Sequence, residues 1–266
     1  MNNRPPRISV RNVTKSFPVA SGDTLTALDD TSLDITDGEF LSLLGPSGCG
    51  KSTLLDLLSG LTTPTSGEIR IDGEPVTGPG TDRGIVFQQY ALLPWRTALG
   101  NIEFVLENSV SSRRERRNTA RNFLDLVGLG DFADHYPSKL SGGMKQRVAI
   151  ARSLSHDPSV LLMDEPFAAL DAFTRESLQD LLLTIREETG KTIVFVTHSI
   201  DEAVYLSDRI AVMTARPGRI RTVETVDIDR TVADVRSTAA FSDLRHRLWL
   251  QLQQETTTTA AAGVLR

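Results

Sequence analysis

The sequence predicts an α/β protein: a largely parallel sheet flanked by helices, an antiparallel β portion near the N-terminus and a helical lobe inserted in the core. Three observations predict it. The run Gly45-Pro46-Ser47-Gly48-Cys49-Gly50-Lys51-Ser52 lies between the apolar stretch 40–44 and the helix-like run 53–58, the strand–turn–helix setting of a phosphate-binding loop. From residue 160 onward, short apolar stretches alternate with helical ones, the pattern of a parallel sheet. Between about 91 and 154 the strand signal fades and helical character takes over.

Residues 8–10 and 32–35 alternate apolar with polar, as half-exposed antiparallel strands do, whereas 40–44 is apolar throughout and reads as buried. Strands at 68–71 and 84–87 follow, the first closed by the Asp72-Gly73 turn. After the lobe come a strand at 160–163, a helix at 172–188, a strand at 192–196, a short helix at 201–206 and a strand at 209–214. Residues 219–226 are expected to add an edge strand. Phe241, Leu244, Leu248 and Leu252 recur at helical spacing, so an amphipathic helix should dock on the core near the C-terminus. The low-complexity run 256–262 is expected to lack regular structure. The expected division is therefore one domain over 1–235, with the lobe at about 91–154 inside it, and a C-terminal helix and tail over 236–266.

Charged residues make up 24% of the 266 and hydrophobic ones 39%, ordinary values for a globular protein. Thirty-four acidic side chains outweigh 29 basic ones, a net charge of −5 that argues against a nucleic-acid partner. The one strong basic run, Arg113-Arg114-Glu115-Arg116-Arg117, reads as a solvated helix face. A single cysteine, Cys49, excludes an internal disulfide and fits a reducing compartment. No stretch approaches the ~20 apolar residues of a membrane span, and the polar start is unlike a signal peptide. The expectation is a cytoplasmic chain whose membrane role, if any, comes through other subunits.

In the phosphate loop, glycines let successive backbone N–H groups face an anion, and the following helix adds its positive end. Lys51 would reach the β- and γ-phosphates, and Ser52 would offer its hydroxyl to Mg²⁺. Cys49 reads as a small filler of the loop, although its place beside Lys51 also allows a lowered thiol pKa. Val160-Leu161-Leu162-Met163-Asp164-Glu165 is a strand ending in two carboxylates. Asp164 suits a metal-holding role, and Glu165 suits the polarisation of an attacking water. Leu140-Ser141-Gly142-Gly143-Met144-Lys145-Gln146-Arg147 begins with an N-cap serine and a helix start.

In this combination and order the motifs resemble those of ATP-binding cassette (ABC) ATPases, over about residues 8–225. The resemblance implies a P-loop NTPase with a RecA-like core, an N-terminal antiparallel β subdomain and an inserted helical lobe, acting on ATP with Mg²⁺. It assigns adenine stacking to Phe17 and triphosphate binding to the loop from Gly45 through Thr53. Mg²⁺ falls to Ser52, Gln88 and Asp164, and catalysis to Glu165 and His198. Ser141, Gly142 and Gly143 become the signature that caps a triphosphate held by Lys51 of a second copy. Asp171 closes the D-loop Ala168-Ala169-Leu170-Asp171. Phe17 offers a π face without a hydrogen-bonding edge, so only a modest preference for ATP over GTP is expected. Met144 departs from the glutamine that many members carry, which removes side-chain hydrogen bonding there.

The resemblance further implies a homodimer in the ATP-bound state, working at the cytoplasmic face of the membrane. Two transmembrane permease subunits would dock near Gln88 to Arg96, where Ala91-Leu92-Leu93-Pro94-Trp95-Arg96 forms an apolar and aromatic strip. A solute-binding protein would act indirectly. Residues 91–95, 165–175, 197–203 and 215–220 resemble the nitrate/sulfonate/taurine importer branch. Sulfonate, nitrate, bicarbonate and a pyrimidine precursor remain open as solutes, with a soluble non-transport ATPase as the alternative class.

Overall fold

The computed structural model describes residues 5–19, 22–232 and 234–263, with side chains to residue 255. In chain order the elements begin with β1 (Ile8–Pro18), β2 (Thr24–Ile35), β3 (Phe40–Leu44), α1 (Lys51–Ser59), β4 (Ser66–Ile71) and β5 (Glu74–Pro75). Next come β6 (Arg83–Val86), α2 (Ala98–Leu106), α3 (Arg113–Leu126), α4 (Gly142–Leu154), β7 (Val160–Asp164) and α5 (Ala172–Thr189). The last are β8 (Thr192–Thr197), α6 (Ile200–Leu206), β9 (Arg209–Met213), β10 (Ile220–Thr225) and α7 (Ala239–Gly263). The chain divides into two units, residues 1–80 with 192–266 and residues 81–191.

In the first unit, β1 pairs antiparallel with β2 on one side and β4 on the other, in the order β2-β1-β4-β5. Both β1 and β2 run well beyond the short alternating stretches 8–10 and 32–35. Their alternation breaks at register shifts between Val10 and Ser16, and Asn12 (φ 47°) and Asp30 (φ 44°) turn left-handed inside the strands. Asx residues tolerate that conformation, so the strands continue past a point where period-two reading stops. β5, which the sequence reading omits, is the return of the Asp72-Gly73 turn and pairs Arg70 with Pro75.

The parallel part of this unit holds β3 between β8 and β9, with Phe40 opposite Ile193 and Leu41 opposite Arg209. Phe40, Leu41, Leu43 and Leu44 are wholly buried, each contributing about 1.5–3 kcal/mol of apolar burial. β10 adds an antiparallel edge to β9, as expected for 219–226. Phe241, Leu244 and Leu248 of α7 pack against Ala203, Val204, Ile210 and Val212, with Leu252 partly buried beside them. The backbone of α7 continues across 256–262, where no regular structure was expected: a helix already nucleated and docked propagates through Thr and Ala at little cost.

The second unit is larger than the 91–154 lobe, because α4 belongs to two layers. One face, with Val148 and Ala151, joins Leu99, Ile102, Leu124, Val127 and Leu129 in the lobe core. The other face meets β6, where the Ser153 hydroxyl donates to the Ile85 carbonyl at 2.6 Å. β6 and β7 pair in parallel, Val86 opposite Met163. In α3, Arg113, Arg114 and Arg117 are exposed, as a solvated face requires, while Arg116 donates to the carbonyls of Val110 and Ser111.

Candidate nucleotide site

β3 delivers the chain into the phosphate loop, and steric limits there explain its glycines. A Cβ on Gly45 would lie 2.9 Å from the Cys49 Sγ and 3.1 Å from the Met213 carbonyl oxygen. Gly50 adopts φ 101°, and a Cβ there would meet Leu28 Cδ2 at 2.7 Å. α1 begins at Lys51 with no side chain capping it, so its leading amides are kept for an anion. Lys51 is 5% exposed, and its ammonium spans the loop, donating to the carbonyls of Gly45 (2.8 Å) and Pro46 (3.0 Å). Cys49 is buried, and burial pushes its thiol up against the opposing pull of Lys51, so the filler reading holds and the lowered pKa does not.

Two further supports of this unit escaped the sequence reading of individual roles. The Arg216 guanidinium donates to the Gly48 carbonyl at 3.3 Å, and Gly218 exchanges backbone bonds with Ala27 and Asp29 while a Cβ on it would lie 1.9 Å from the Cys49 carbonyl oxygen. The segment 215–218 therefore buttresses the loop; its only sequence signal was the Ala-Arg-Pro-Gly string. His198 is exposed immediately after β8. Its turn is fixed by buried chemistry: the Thr197 hydroxyl donates to Glu202 at 2.6 Å, the Ser199 amide donates to the Thr197 hydroxyl, and the Ser199 hydroxyl caps the Glu202 amide. Phe17 is 38% exposed rather than core, with Lys15 Nζ 5.0 Å from its ring centroid.

In the second unit, Gln88 follows β6 and Asp164 and Glu165 close β7, so the parallel pairing brings all three out at the same end of the two strands. Glu165 turns left-handed at φ 42°, as do Tyr90 (60°) and Ala91 (47°) after Gln88. Arg152, from α4, donates to the carbonyls of Ala91 (2.6 Å) and Tyr90 (3.2 Å) and holds that loop; burial lowers the guanidinium's pKa.

Ser141 is the N-cap of α4, its hydroxyl accepting from the Met144 amide at 3.3 Å. A Cβ on Gly142 would lie 3.1 Å from the Tyr90 hydroxyl and 3.6 Å from Leu170 Cδ2, and one on Gly143 would lie 2.3 Å from Thr174 Cγ2. The signature is thus wedged between the loop after Gln88 and the D-loop. Met144 packs against the lobe core, where its apolar side chain belongs. Asp171 caps α5 by accepting from the Thr174 amide at 3.0 Å, which holds its carboxyl below the usual aspartate range. Gln146, unassigned from sequence, is fully buried with neither amide atom paired.

The hydroxyl, amide and carboxylate oxygens of Ser52, Gln88 and Asp164 are hard donors of the type Mg²⁺ prefers. Among the described residues no group of three or more His, Cys, Asp or Glu is gathered for a metal.

A phosphate loop, a Ser-Gly-Gly helix start and a strand ending in Asp-Glu define a P-loop nucleotide-hydrolase cassette. The family model described as ABC transporter matches residues 28–168. An uncharacterized ABC transporter ATP-binding protein of Methanocaldococcus jannaschii is 54% identical over 224 residues, 84% of each chain. The taurine import ATP-binding protein of Roseobacter denitrificans is 49% identical over 213 residues, 80% of each. The nitrate import ATP-binding protein of Synechococcus elongatus is 48% identical over 253 residues, 93% of this chain and 38% of that one. Among solved structures, an ATP-binding cassette described as dimeric, in a post-hydrolysis state with ADP and Pi, superposes with a TM-score of 0.74 at 39% identity, over 82% of this chain and 98% of the other. The chain belongs to the ABC transporter family, in its nitrate/sulfonate/taurine importer branch.

Proposed function

We propose that the chain is the ATP-hydrolysing subunit that powers import of a small anionic solute, of the taurine, sulfonate or nitrate type, through separate membrane subunits. The observation that carries the proposal is the wedged signature. Ser141 and the glycines Gly142 and Gly143 are held at the start of α4 between two functional loops and offer an anion-binding helix end. Such an end serves a triphosphate carried by a second copy, which makes ATP the glue of a two-fold pair. The relative that is described as a dimer supports this reading.

In the proposed cycle, Phe17 stacks on the base and the amides of 45–53 with Lys51 cradle the phosphates. Ser52, Gln88 and Asp164 would hold Mg²⁺, which supplies charge neutralisation at the phosphate oxygens. Glu165 accepts a proton from the attacking water, and His198 donates a hydrogen bond that keeps the water and Glu165 in register. Hydrolysis removes the shared anion and the pair opens.

Trp95 supports the docking role of the strip at 91–96: it is 70% exposed, whereas Leu92 packs against the lobe core. The two permease subunits are assigned here. Among the described residues no helix is long and apolar enough to cross a membrane. Glu165→Gln should trap an ATP-bound dimer, and a pull-down from detergent extract should recover two spanning subunits and a solute-binding protein. A trapped variant that stays monomeric overturns the pairing, and an extract that yields no spanning subunit overturns the transport role. Transport of radiolabelled taurine, nitrate and bicarbonate by the reconstituted complex decides the solute.

A further inference from the structure

The C-terminal helix α7 reaches the phosphate loop through one short turn, and no step of the proposed cycle uses that connection. The turn spans 214–219, between β9 and β10. Thr214 ties it together. Its amide donates to the Arg219 carbonyl at 3.0 Å, its hydroxyl donates to the Pro217 carbonyl at 3.1 Å, and the Arg219 amide donates to that hydroxyl at 3.0 Å. Bonds across the turn leave it little internal freedom, so it shifts as one body.

One side of this body meets the loop. The Arg216 guanidinium donates to the Gly48 carbonyl at 3.3 Å, and Gly218 packs so closely on Cys49 that a Cβ there would lie 1.9 Å from the Cys49 carbonyl oxygen. The other side meets α7. One carboxylate oxygen of Glu255 accepts from the Ala215 amide at 3.2 Å, and the other accepts from Arg221 of β10 at 2.6 Å. The two charged side chains are 16% and 31% exposed, so the pair is screened less than one on the open surface. Arg221 also donates to the Gln254 side chain at 2.7 Å. Glu255 lies beyond the apolar stripe from Phe241 to Leu252 that docks the helix, so its carboxylate fixes the turn without adding to that burial.

We propose that Glu255 is a positioning residue for triphosphate binding: it sets the 214–219 turn, and the turn holds the phosphate loop in its anion-binding shape through Arg216 and Gly218. The inference rests on the reading of 45–53 as the triphosphate loop, and gives the C-terminal helix a part in its affinity. A peptide unit is planar, so restraint on a carbonyl is restraint on the next residue's N–H. Arg216 on the Gly48 carbonyl steadies the Cys49 amide, and Gly218 against the Cys49 carbonyl steadies the Gly50 amide. Loop amides bind phosphate only while their directions are kept.

The test uses the full chain, a fluorescent ATP analogue titrated at equilibrium, and steady-state ATPase measured alongside. Glu255→Ala should weaken ATP binding about 5-fold and raise KM to match while kcat holds, and Arg216→Ala should do at least as much. Glu255→Gln keeps an acceptor for the Ala215 amide and should recover part of the loss. In the Arg216→Ala background, Glu255→Ala should add less than about 2-fold, because the two residues act in series. Full additivity of the two substitutions overturns the inference. So does a lower melting temperature of the nucleotide-free chain with ATP affinity and KM unchanged, which would make the Glu255 contacts structural alone. Lys51→Ala separates this inference from the loop assignment. If Lys51→Ala binds ATP at full affinity, the loop reading falls and this inference with it. If Lys51→Ala abolishes binding while Glu255→Ala leaves it intact, only the inference falls.

Discussion

Gly143 allows a direct test of why the signature needs its second glycine. A Cβ placed on it would lie 2.3 Å from Thr174 Cγ2, while the next nearest atoms, Thr174 Cβ and Oγ1, are 3.7 and 4.0 Å away. Carbon atoms pack at about 3.5–4.0 Å, so a single methyl group must retreat by more than ~1 Å. Overpacking of this kind costs about 1–3 kcal/mol, of which the better helix propensity of alanine returns up to ~1 kcal/mol. Gly143→Ala should therefore destabilise the protein by roughly 1–2 kcal/mol. Thr174→Ser removes the offending methyl and keeps the backbone amide that Asp171 caps. In that background Gly143→Ala should become neutral or stabilising, a coupling of about 1–3 kcal/mol in a double-mutant cycle read by urea unfolding. ATP turnover adds a second axis. If the glycine is required only for room, the double variant regains turnover with stability; if stability returns alone, the bare backbone is itself needed at the phosphate. Absence of any stability rescue by Thr174→Ser would refute the steric argument.

Gln146→Met should raise stability by about 1–3 kcal/mol, since it removes two unpaired buried polar atoms at similar volume; a lower melting temperature would show that the amide is paired after all. Cys49 should resist iodoacetamide in the folded protein and react on unfolding, because burial both shields the thiol and raises its pKa; rapid labelling that spares ATP binding would contradict this. Asp171 has a folded pKa below its ordinary 3.8, so its cap contributes fully above that value and is lost only as pH falls through the lower folded one. Asp171→Asn should flatten that acid limb of the unfolding profile, and an unchanged limb would assign it to other carboxylates. Ala91→Gly should be neutral or stabilising by up to ~1 kcal/mol, because relief of a left-handed alanine offsets the backbone entropy of glycine; a loss of ~1 kcal/mol in denaturant melts would mean the position is unstrained.

Much of this architecture is written in local pattern. The apolar run 40–44, the glycine loop and the helix after it can be read residue by residue, because steric need and phosphate chemistry act on neighbours in sequence. The α7 stripe is equally plain, since Phe241, Leu244 and Leu248 obey one period. What stayed hidden depends on partners far along the chain. Arg216 reaches Gly48 from 168 residues away, and nothing in the string Ala-Arg-Pro-Gly says where it lands. The extent of the second unit shares that origin, for it follows from which layers α4 joins. β1 and β2 were cut short for a different reason: a left-handed Asn12 or Asp30 interrupts the alternation without ending the strand.

The left-handed residues carry one more argument when sorted by type. Asn12, Asp30, Asp72, Asp157 and Asp234 are Asx residues, whose short polar side chains make that conformation cheap. Tyr90, Ala91 and Glu165 have no such excuse, and they are the remaining three of the eight non-glycine residues with positive φ among the described residues. All three stand in the two loops that carry the proposed metal ligand Gln88 and the proposed base Glu165. Conformations of this kind cost on the order of 1–3 kcal/mol each and persist only where the surroundings over-determine them. The surroundings here are specific: Arg152 grips the carbonyls of Tyr90 and Ala91, and Gly142 leaves space for the Tyr90 hydroxyl. The signature helix thus supplies both the clamp and the clearance for the loop after Gln88. In the proposed pair, a second copy that engages this helix would act directly on the loop that Arg152 and Gly142 hold.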